Sequence, residues 1–220
     1  MLVNSTAYQD GRKIADHIPI DDISEYVKRP ECFVWVALKE PTPEELDKMQ
    51  EEFGLHPLAV EDARHGHQRP KIEEYGDSLF AVVQIPELRG KELELGEVDI
   101  FVGGNYVLSV RHRTEKGFQA VRDRAESEPH LLKRGAGFVF YALVDNVVDR
   151  YFPIVDQLEV ELEGIEKRIF DGTSPRENVK ELYALKQQLM VMRHAVEPLI
   201  EVVHKLYGGR VPSVCVGVQE

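Results

Sequence analysis

The stretch EDARHGHQRPKIEEYGD occupies residues 61–77 and sets the order of the elements around it. Its first residues complete a short helix that begins at His56 and Pro57, and Pro70 closes a polar turn. The strand-like runs KIEEY and SLFAVVQI then flank Gly76 and Asp77, a pair typical of a hairpin turn. The stretch therefore predicts a helix that leads directly into an antiparallel part of a sheet.

Strands and capped helices alternate on both sides of this stretch. Residues 33–39 (FVWVALK) have the composition of a buried strand. Thr42, Pro43 and Glu45 form the capping-box pattern that begins a helix. Downstream, EVDIFVG and NYVLSVRH flank a Gly-Gly-Asn turn and predict a second hairpin. Residues 1–130 are therefore expected to form an α/β (α+β) domain, a mixed sheet flanked by helices.

The apolar spacing changes to alternating steps of three and four residues from about residue 138. One such seam covers residues 144–169, and a second covers residues 182–206. Joined by a short link, two seams of this length predict a long antiparallel helical hairpin over residues 131–208. Pro153 and Pro198 lie within the two seams and are expected to kink each helix.

The first helix of the predicted hairpin is strongly acidic, with eight acids and three bases between residues 145 and 171. Like charges three and four residues apart on a helix repel by a few tenths of a kcal/mol per pair. Two interpretations stay open: a solvated face beside the seam, or a low-affinity site for divalent cations such as Mg²⁺. The acidic stripe consists of Asp145, Asp149, Asp156, Glu159, Glu163 and Glu166.

Composition narrows the classes of partner. With 27 basic and 39 acidic residues the net charge is −12, which disfavours nucleic acid as a partner. Cys32 and Cys215 are far apart and have no Cys or His cluster nearby, so a reducing cytoplasm is expected. No apolar run approaches the roughly 18 residues of a membrane span, which predicts a soluble chain.

Catalytic and zinc motifs are not found in the sequence. His65 and His67 are two residues apart, a spacing that directs two side chains to opposite faces of a strand. A polar turn is therefore favoured over a metal site at this HGH motif. The sequence has no phosphate-binding glycine loop and no nucleophile elbow, which argues against an enzyme. A metal-dependent hydrolase that uses His56, His65 and His67 is kept as an alternative.

Five blocks of the sequence resemble the CorA-type magnesium transporter family in order and spacing. They are EDARHGHQRPKIEEYGDSLFAVV, EVDIFVGGNYVLSVRH, YALVDNVVDRYFP, EGIEKRIFDG and LYALKQQLMVMRHAVEPL, and the resemblance covers residues 30–208. It implies a homopentamer at the inner membrane, with this chain as the cytoplasmic part. Residues 209–220 would begin a stalk that leads to membrane helices, which this sequence lacks.

The resemblance also implies a function for the acids, namely low-affinity sensing of cytosolic Mg²⁺ between subunits of a Mg²⁺ transporter, with Co²⁺ as a second candidate. Asp145 aligns with a sensing acid of the family, and Glu87 is the nearest candidate for a second one. A zinc transporter of the same superfamily and a structural assembly module are the alternatives. The candidate metal ligands are Asp145, Glu87, Asp149, Asp156, Glu159 and Glu163.

Overall fold

A seven-stranded mixed sheet, in the order β2-β1-β3-β7-β6-β5-β4, forms the centre of the molecule. The computed structural model describes residues 1–90, 92–207 and 215. Strands β3 and β7 pair in parallel, and the other neighbours pair antiparallel. The strands are β1 (Leu2–Gln9), β2 (Arg12–Asp16), β3 (Cys32–Lys39), β4 (Lys71–Tyr75), β5 (Ser78–Arg89), β6 (Glu92–Gly103) and β7 (Tyr106–His112).

Helices cover both faces of the sheet, so the predicted mixed sheet flanked by helices is confirmed. One buried cluster joins α1, α2 and α3 to one face, and a second joins α4 to α8 to the other. The helices are α1 (Ile23–Val27), preceded by a 3₁₀ turn, α2 (Pro43–Phe53), α3 (Pro57–His65), α4 (Gln119–Ser127), α5 (Pro129–Leu132), α6 (Ala136–Asp149), α7 (Phe152–Phe170) and α8 (Pro175–Tyr207).

The predicted turns lie where the sequence placed them. Strands β4 and β5 meet at Gly76, whose φ of 63° is in the left-handed region that glycine adopts without steric cost. Strands β6 and β7 meet at Gly103 and Tyr106. Between these two hairpins, β5 and β6 pair from Leu79↔Val102 to Arg89↔Glu92. The two predicted hairpins are therefore parts of one continuous antiparallel meander.

Helix α2 confirms the capping box read from the sequence. The Thr42 side chain accepts a hydrogen bond from the Glu45 amide, and the Glu45 side chain accepts one from the Thr42 amide. Pro43 lies in the first turn, where its missing N–H costs nothing, and Gly54 ends the helix with a φ of 64°. This helix packs Leu46, Met49 and Phe53 on the sheet.

The long acidic helix predicted through Pro153 is two helices, and the expectation of a kink at Pro153 was wrong. Helix α6 ends at Asp149, and Pro153 lies in the first turn of α7, where a proline breaks no hydrogen bond. Helix α6 packs on the sheet, and α7 and α8 pack on each other as the helical hairpin, in which α8 also contacts β4, β5 and β6. Pro198 lies inside α8, as predicted.

Alternate seam positions on α7 and α8 differ in burial. Leu158, Ile165, Leu185, Met192 and Leu199 are buried, whereas the positions between them stay exposed. These exposed side chains, together with one at the end of α6, are called the outer stripe here. The outer stripe consists of Val148, Val155, Leu162, Ile169, Leu189, Val196 and Val203.

Two sequence predictions fall at the end of the chain. The Leu206 side chain lies outside the described residues, as does the predicted stalk segment 209–220 apart from Cys215. Within the described ranges, no helix combines the length and the apolar composition needed to cross a membrane.

Candidate functional site

The candidate site is a groove of about 290 Å³ between α4 and α6, called the α4–α6 groove here. Its α6 wall carries Asp145 and Asp149, one helical turn apart, and its α4 side carries Arg124 and Glu128. Side chains four residues apart on a helix lie on the same face, with their Cβ atoms about 6 Å apart. The helix therefore presents two carboxylates to the same space.

The charges in this groove are incompletely matched. Arg124 Nε lies 3.7 Å from Glu128 Oε1, so the one base of the groove is engaged with an acid of α4. Arg150 does not line the groove and donates to Asn146 Oδ1 at 3.1 Å and to the Gly117 carbonyl at 2.6 Å. Within the described residues, Asp145 and Asp149 make neither an ion pair nor a hydrogen bond. Carboxylates in this condition are suitable ligands for a hydrated Mg²⁺ ion.

The acids of α7 occupy a different surface. Asp156, Glu159 and Glu163 are exposed on the face of α7 that does not contact α8 or the sheet, and none of them lines the α4–α6 groove. No ion pair engages them within residues 1–90, 92–207 and 215. The predicted stripe is therefore divided between two helices, with two acids in the groove and four on the hairpin, the fourth being Glu166.

Glu87, the remaining candidate, is buried on β5 beneath the loop that follows β7. Its Oε1 accepts hydrogen bonds from the Thr114 hydroxyl and, at 3.2 Å, from the Lys116 amide. The Glu115 amide lies 3.4 Å from Oε2. Burial alone would raise the pKa of Glu87, but these three donors hold the pKa below its ordinary value of 4.5. Both oxygens are thus used by donors within the same chain.

The charge of Glu87 acts on two arginines, Arg111 and Arg150. Arg150 donates to the carbonyls of Lys116 and Gly117, at 3.3 and 2.6 Å, and lies over the Phe118 ring. Burial lowers the pKa of Arg150, while the Glu87 charge raises it and Arg111 lowers it further. Arg150 therefore ties the end of α6 to the loop that holds Glu87.

The histidines of the opening stretch do not form a metal centre. His65 Nδ1 lies 2.8 Å from the Glu61 carbonyl, and His56 accepts from the Leu58 amide and stacks on Tyr75. His67 has a φ of 61° in the polar turn. In the part of the chain that is described, no three His, Cys, Asp or Glu side chains are placed to hold a metal ion.

The sequence analysis missed one pair of chemically unusual residues, Glu97 and Asp99 on β6. Both are completely buried, although they belong to the run EVDIFVG that was read only as a strand. The signal was available, because acids at alternate positions of an apolar strand point to one face. Neither was considered as a site residue.

A search of family models matches residues 30–213 of this chain to the model described as "CorA-like Mg2+ transporter protein". The chain belongs to the CorA-like Mg²⁺ transporter family. It is 30% identical to YfjQ of Bacillus subtilis (strain 168) over 93% of its own length. It is also 30% identical to the cobalt/magnesium transport protein CorA of Thermotoga maritima, over 74% of its own length.

Among solved structures, the soluble domain of CorA from Methanocaldococcus jannaschii matches the whole chain and 85% of that domain, with a TM-score of 0.75 and 20% identity. This likeness confirms the fold. The chain spans 62% of the length of YfjQ and 47% of the length of the Thermotoga maritima protein. The matched region thus corresponds to part of each longer relative.

Proposed function

We propose that this chain is the cytoplasmic regulatory part of a CorA-like divalent cation transporter, whose cargo is Mg²⁺ with Co²⁺ as a second substrate. The observation that carries the proposal is the pair Asp145 and Asp149, which share one groove without an ion pair in the described chain. Membership of the CorA-like family gives that groove its context.

The regulatory role rests on electrostatic repulsion. Asp145 and Asp149, with the exposed acids of α7, would repel the acids of neighbouring subunits when cytosolic Mg²⁺ is scarce. A bound divalent cation supplies the positive charge that offsets this repulsion. At millimolar affinity each ion contributes about −4 kcal/mol of binding free energy at the 1 M standard state. Several such sites acting together can shift the equilibrium between a closed and an open conformation.

The proposed assembly is a homopentamer at the inner membrane, with this chain on its cytoplasmic side. The outer stripe supports an assembled state, because a row of exposed valines and leucines is unfavourable in water. In this proposal a helix of the longer protein, the stalk expected to begin at residues 209–220, covers the outer stripe.

The first prediction concerns the α4–α6 groove. Thermal unfolding of this chain and of the full-length protein is followed with and without about 20 mM MgCl₂, at constant ionic strength set with NaCl. A site of millimolar affinity is expected to raise the Tm by about 4 °C. The double variant Asp145→Asn with Asp149→Asn is expected to lose that increase, because amides do not carry the charge that binds the cation.

The matched control is Asp171→Asn, which removes an exposed acid beyond the end of α7. It should retain the full response to Mg²⁺. An equal response in the double variant and in the unsubstituted protein, in both the chain and the full-length form, would contradict cation sensing at this groove.

A structural assembly module is the second candidate, and the outer stripe is the observation that favours it. In that case the acids only keep the hairpin soluble. Neutralising Asp145 and Asp149 would then leave both the cation response and the assembly of the full-length protein unchanged, whereas substitutions in the outer stripe would weaken assembly.

A further inference from the structure

Glu97 and Asp99 are neighbouring acids on one face of strand β6. They are two residues apart, so their side chains point to the same side of the sheet, towards α3. Each has an exposed fraction of 0%. Buried oxygens of both carboxyl groups lack any other hydrogen-bond partner among the described residues. Buried acids are rarely found together unless a base or a proton compensates their charge.

Donors for these two groups are scarce. The Gln68 amide donates to Glu97 Oε2 at 2.9 Å. The other three oxygens, Glu97 Oε1 and both of Asp99, have no donor among the described residues. A single proton on the pair changes this situation, because one carboxyl then becomes an O–H donor to the other. One shared proton therefore supplies a hydrogen-bond donor to these buried oxygens, whereas two carboxylates would leave them without one.

Charged and titratable groups from the neighbouring elements face the pair, but none donates a hydrogen bond to the three unpartnered oxygens. On β7, His112 Nε2 lies 3.7 Å from Asp99 Oδ2 and only 2.9 Å from the Ala63 carbonyl of α3. Arg113 reaches to 3.9 Å from Glu97 Oε2. The remaining titratable or charged groups are Asp62 of α3, His67 of the turn and Lys71 of β4, of which Lys71 is paired with Asp62 at 2.7 Å.

The electrostatic consequence has a clear direction. Burial, and next the neighbouring Glu97, raise the pKa of Asp99 well above its ordinary value of 3.8. Burial also raises the pKa of Glu97, although the Gln68 amide and His112 oppose the increase. The negative charge of either acid therefore favours the protonated form of the other acid.

We propose that Glu97 and Asp99 hold one proton between them at neutral pH, and that this proton-binding pair fastens the turn after α3 to the sheet. The turn is linked to the pair by the Gln68 amide, which donates to Glu97. His112, 3.7 Å from Asp99, lies 2.9 Å from the Ala63 carbonyl in the last turn of α3. This inference does not depend on the proposed transport function.

The proposal fixes the sign of a pH effect. Between the ordinary carboxyl pKa values and the raised pKa values of the pair, the folded chain retains a proton that the unfolded chain has released. Unfolding in this pH range therefore releases one proton. Stability from the pair is complete below the ordinary pKa values and is lost as pH rises through the raised ones. We expect the Tm to fall by about 4 °C for each pH unit across that window.

The direct test is infrared spectroscopy of the unsubstituted chain in D₂O at about pH 7. The proposal requires the carbonyl band of a protonated carboxyl group, assigned by ¹³C labelling of aspartate or glutamate carboxyls. Asp99→Asn should remove the band, because the amide can donate to Glu97 and no second carboxyl group shares its proton. Glu97→Gln should shift the band, because Asp99 stays buried and its proton loses the carboxylate that accepts it. Glu92→Gln, an exposed acid on the same strand, is the matched control and should retain it.

The second readout is the Tm between about pH 5 and pH 9. All variants keep the same histidines, so the difference between variant and unsubstituted profiles isolates the acid pair. Asp99→Asn should flatten the fall in Tm, and amide exchange should show the turn at residues 66–69 opening less at high pH. A spectrum without a protonated carboxyl band at about pH 7 would overturn the proposal. So would a band that both variants leave unchanged.

Discussion

The Glu87 side chain connects two parts of the chain that are far apart in the sequence. Its carboxylate lies on β5 and accepts from Thr114, Glu115 and Lys116, at least 27 residues further along. A carboxylate that accepts two or three hydrogen bonds is stabilised in its charged form. Removing its charge would also leave Arg111 and Arg150 without their nearest buried acid.

The second prediction is therefore that Glu87→Gln destabilises the chain by about 2 kcal/mol at pH 7. The pKa of Glu87 is lowered in the folded chain, so its contribution is present above the ordinary carboxyl pKa and is lost as pH falls through the lowered value. Urea unfolding from about pH 7 to about pH 3 measures this. Glu74→Gln, at an exposed position on β4, is the control. Parallel pH profiles for Glu87→Gln and the unsubstituted chain would contradict the prediction.

Residue-level prediction from sequence succeeded only where spacing along the chain determines proximity. Asp145 and Asp149 are one helical turn apart, so their common helix face follows from the sequence, whereas the groove that α4 forms beside them does not. The hydrogen-bond donors to Glu87 come from a loop beyond β7, and no local sequence pattern predicts that contact. Glu97 and Asp99 fall between these cases, because their shared face was predictable but their complete burial under α3 was not.

At the scale of elements, the hairpin of α7 and α8 uses only half of each apolar seam. Leu158 has an exposed fraction of 3% and Leu162 one of 36%, although both are leucines of the same seam. On α8 the same contrast separates Leu185, at 4%, from Leu189, at 49%. The buried set holds the hairpin together, and the exposed set does not contribute to its packing.

The third prediction compares these leucines as matched pairs. Leu158→Ala and Leu185→Ala are each expected to cost about 3 kcal/mol of unfolding free energy, because each leaves a cavity. Leu162→Ala and Leu189→Ala are expected to cost less than about 1 kcal/mol. Urea unfolding of the four variants measures the difference. Similar costs for all four would mean that the seam is not divided in this way.

Elements bounded by local signals were predictable, and elements bounded by tertiary contacts were not. The capping box placed α2 correctly because its two members, Thr42 and Glu45, lie three residues apart and bond to each other. The break between α6 and α7 depends instead on Arg150 bonding to the Gly117 carbonyl and Tyr151 donating to the Gln84 carbonyl. The heptad spacing continues across this break, so it concealed the boundary.

At the scale of the whole molecule, most of the outer stripe and the exposed acids of α7 lie on the same helical hairpin. With a net charge of −12, copies of this chain repel one another at low ionic strength. Assembly through the outer stripe would therefore be favoured by cations that reduce the repulsion. The apolar and acidic surfaces would then act together in the full-length protein.

The fourth prediction tests that coupling with the double variant Val155→Ser and Val196→Ser. Both valines are exposed, so the Tm of this chain should change by less than about 3 °C. In the full-length protein the same substitutions should weaken assembly, measured by sedimentation at matched Mg²⁺ concentrations. Val160→Ser, an exposed valine of α7 outside the outer stripe, is the control. Unchanged sedimentation of the double variant would exclude the stripe as an assembly surface.

The single parallel pairing in the sheet governs the order in which the chain can fold. The three strands β1 to β3, with β1 between β2 and β3, and the meander of β4 to β7 each form from neighbouring segments. In the sheet they meet along the β3–β7 register, which runs from Val34↔Tyr106 to Lys39↔Arg111. Pairing β3 with β7 closes the long loop between Lys39 and Tyr106, and this closure carries an entropic cost that short hairpins avoid. During synthesis on the ribosome, the first three strands must therefore wait for β7 to emerge before the sheet is complete.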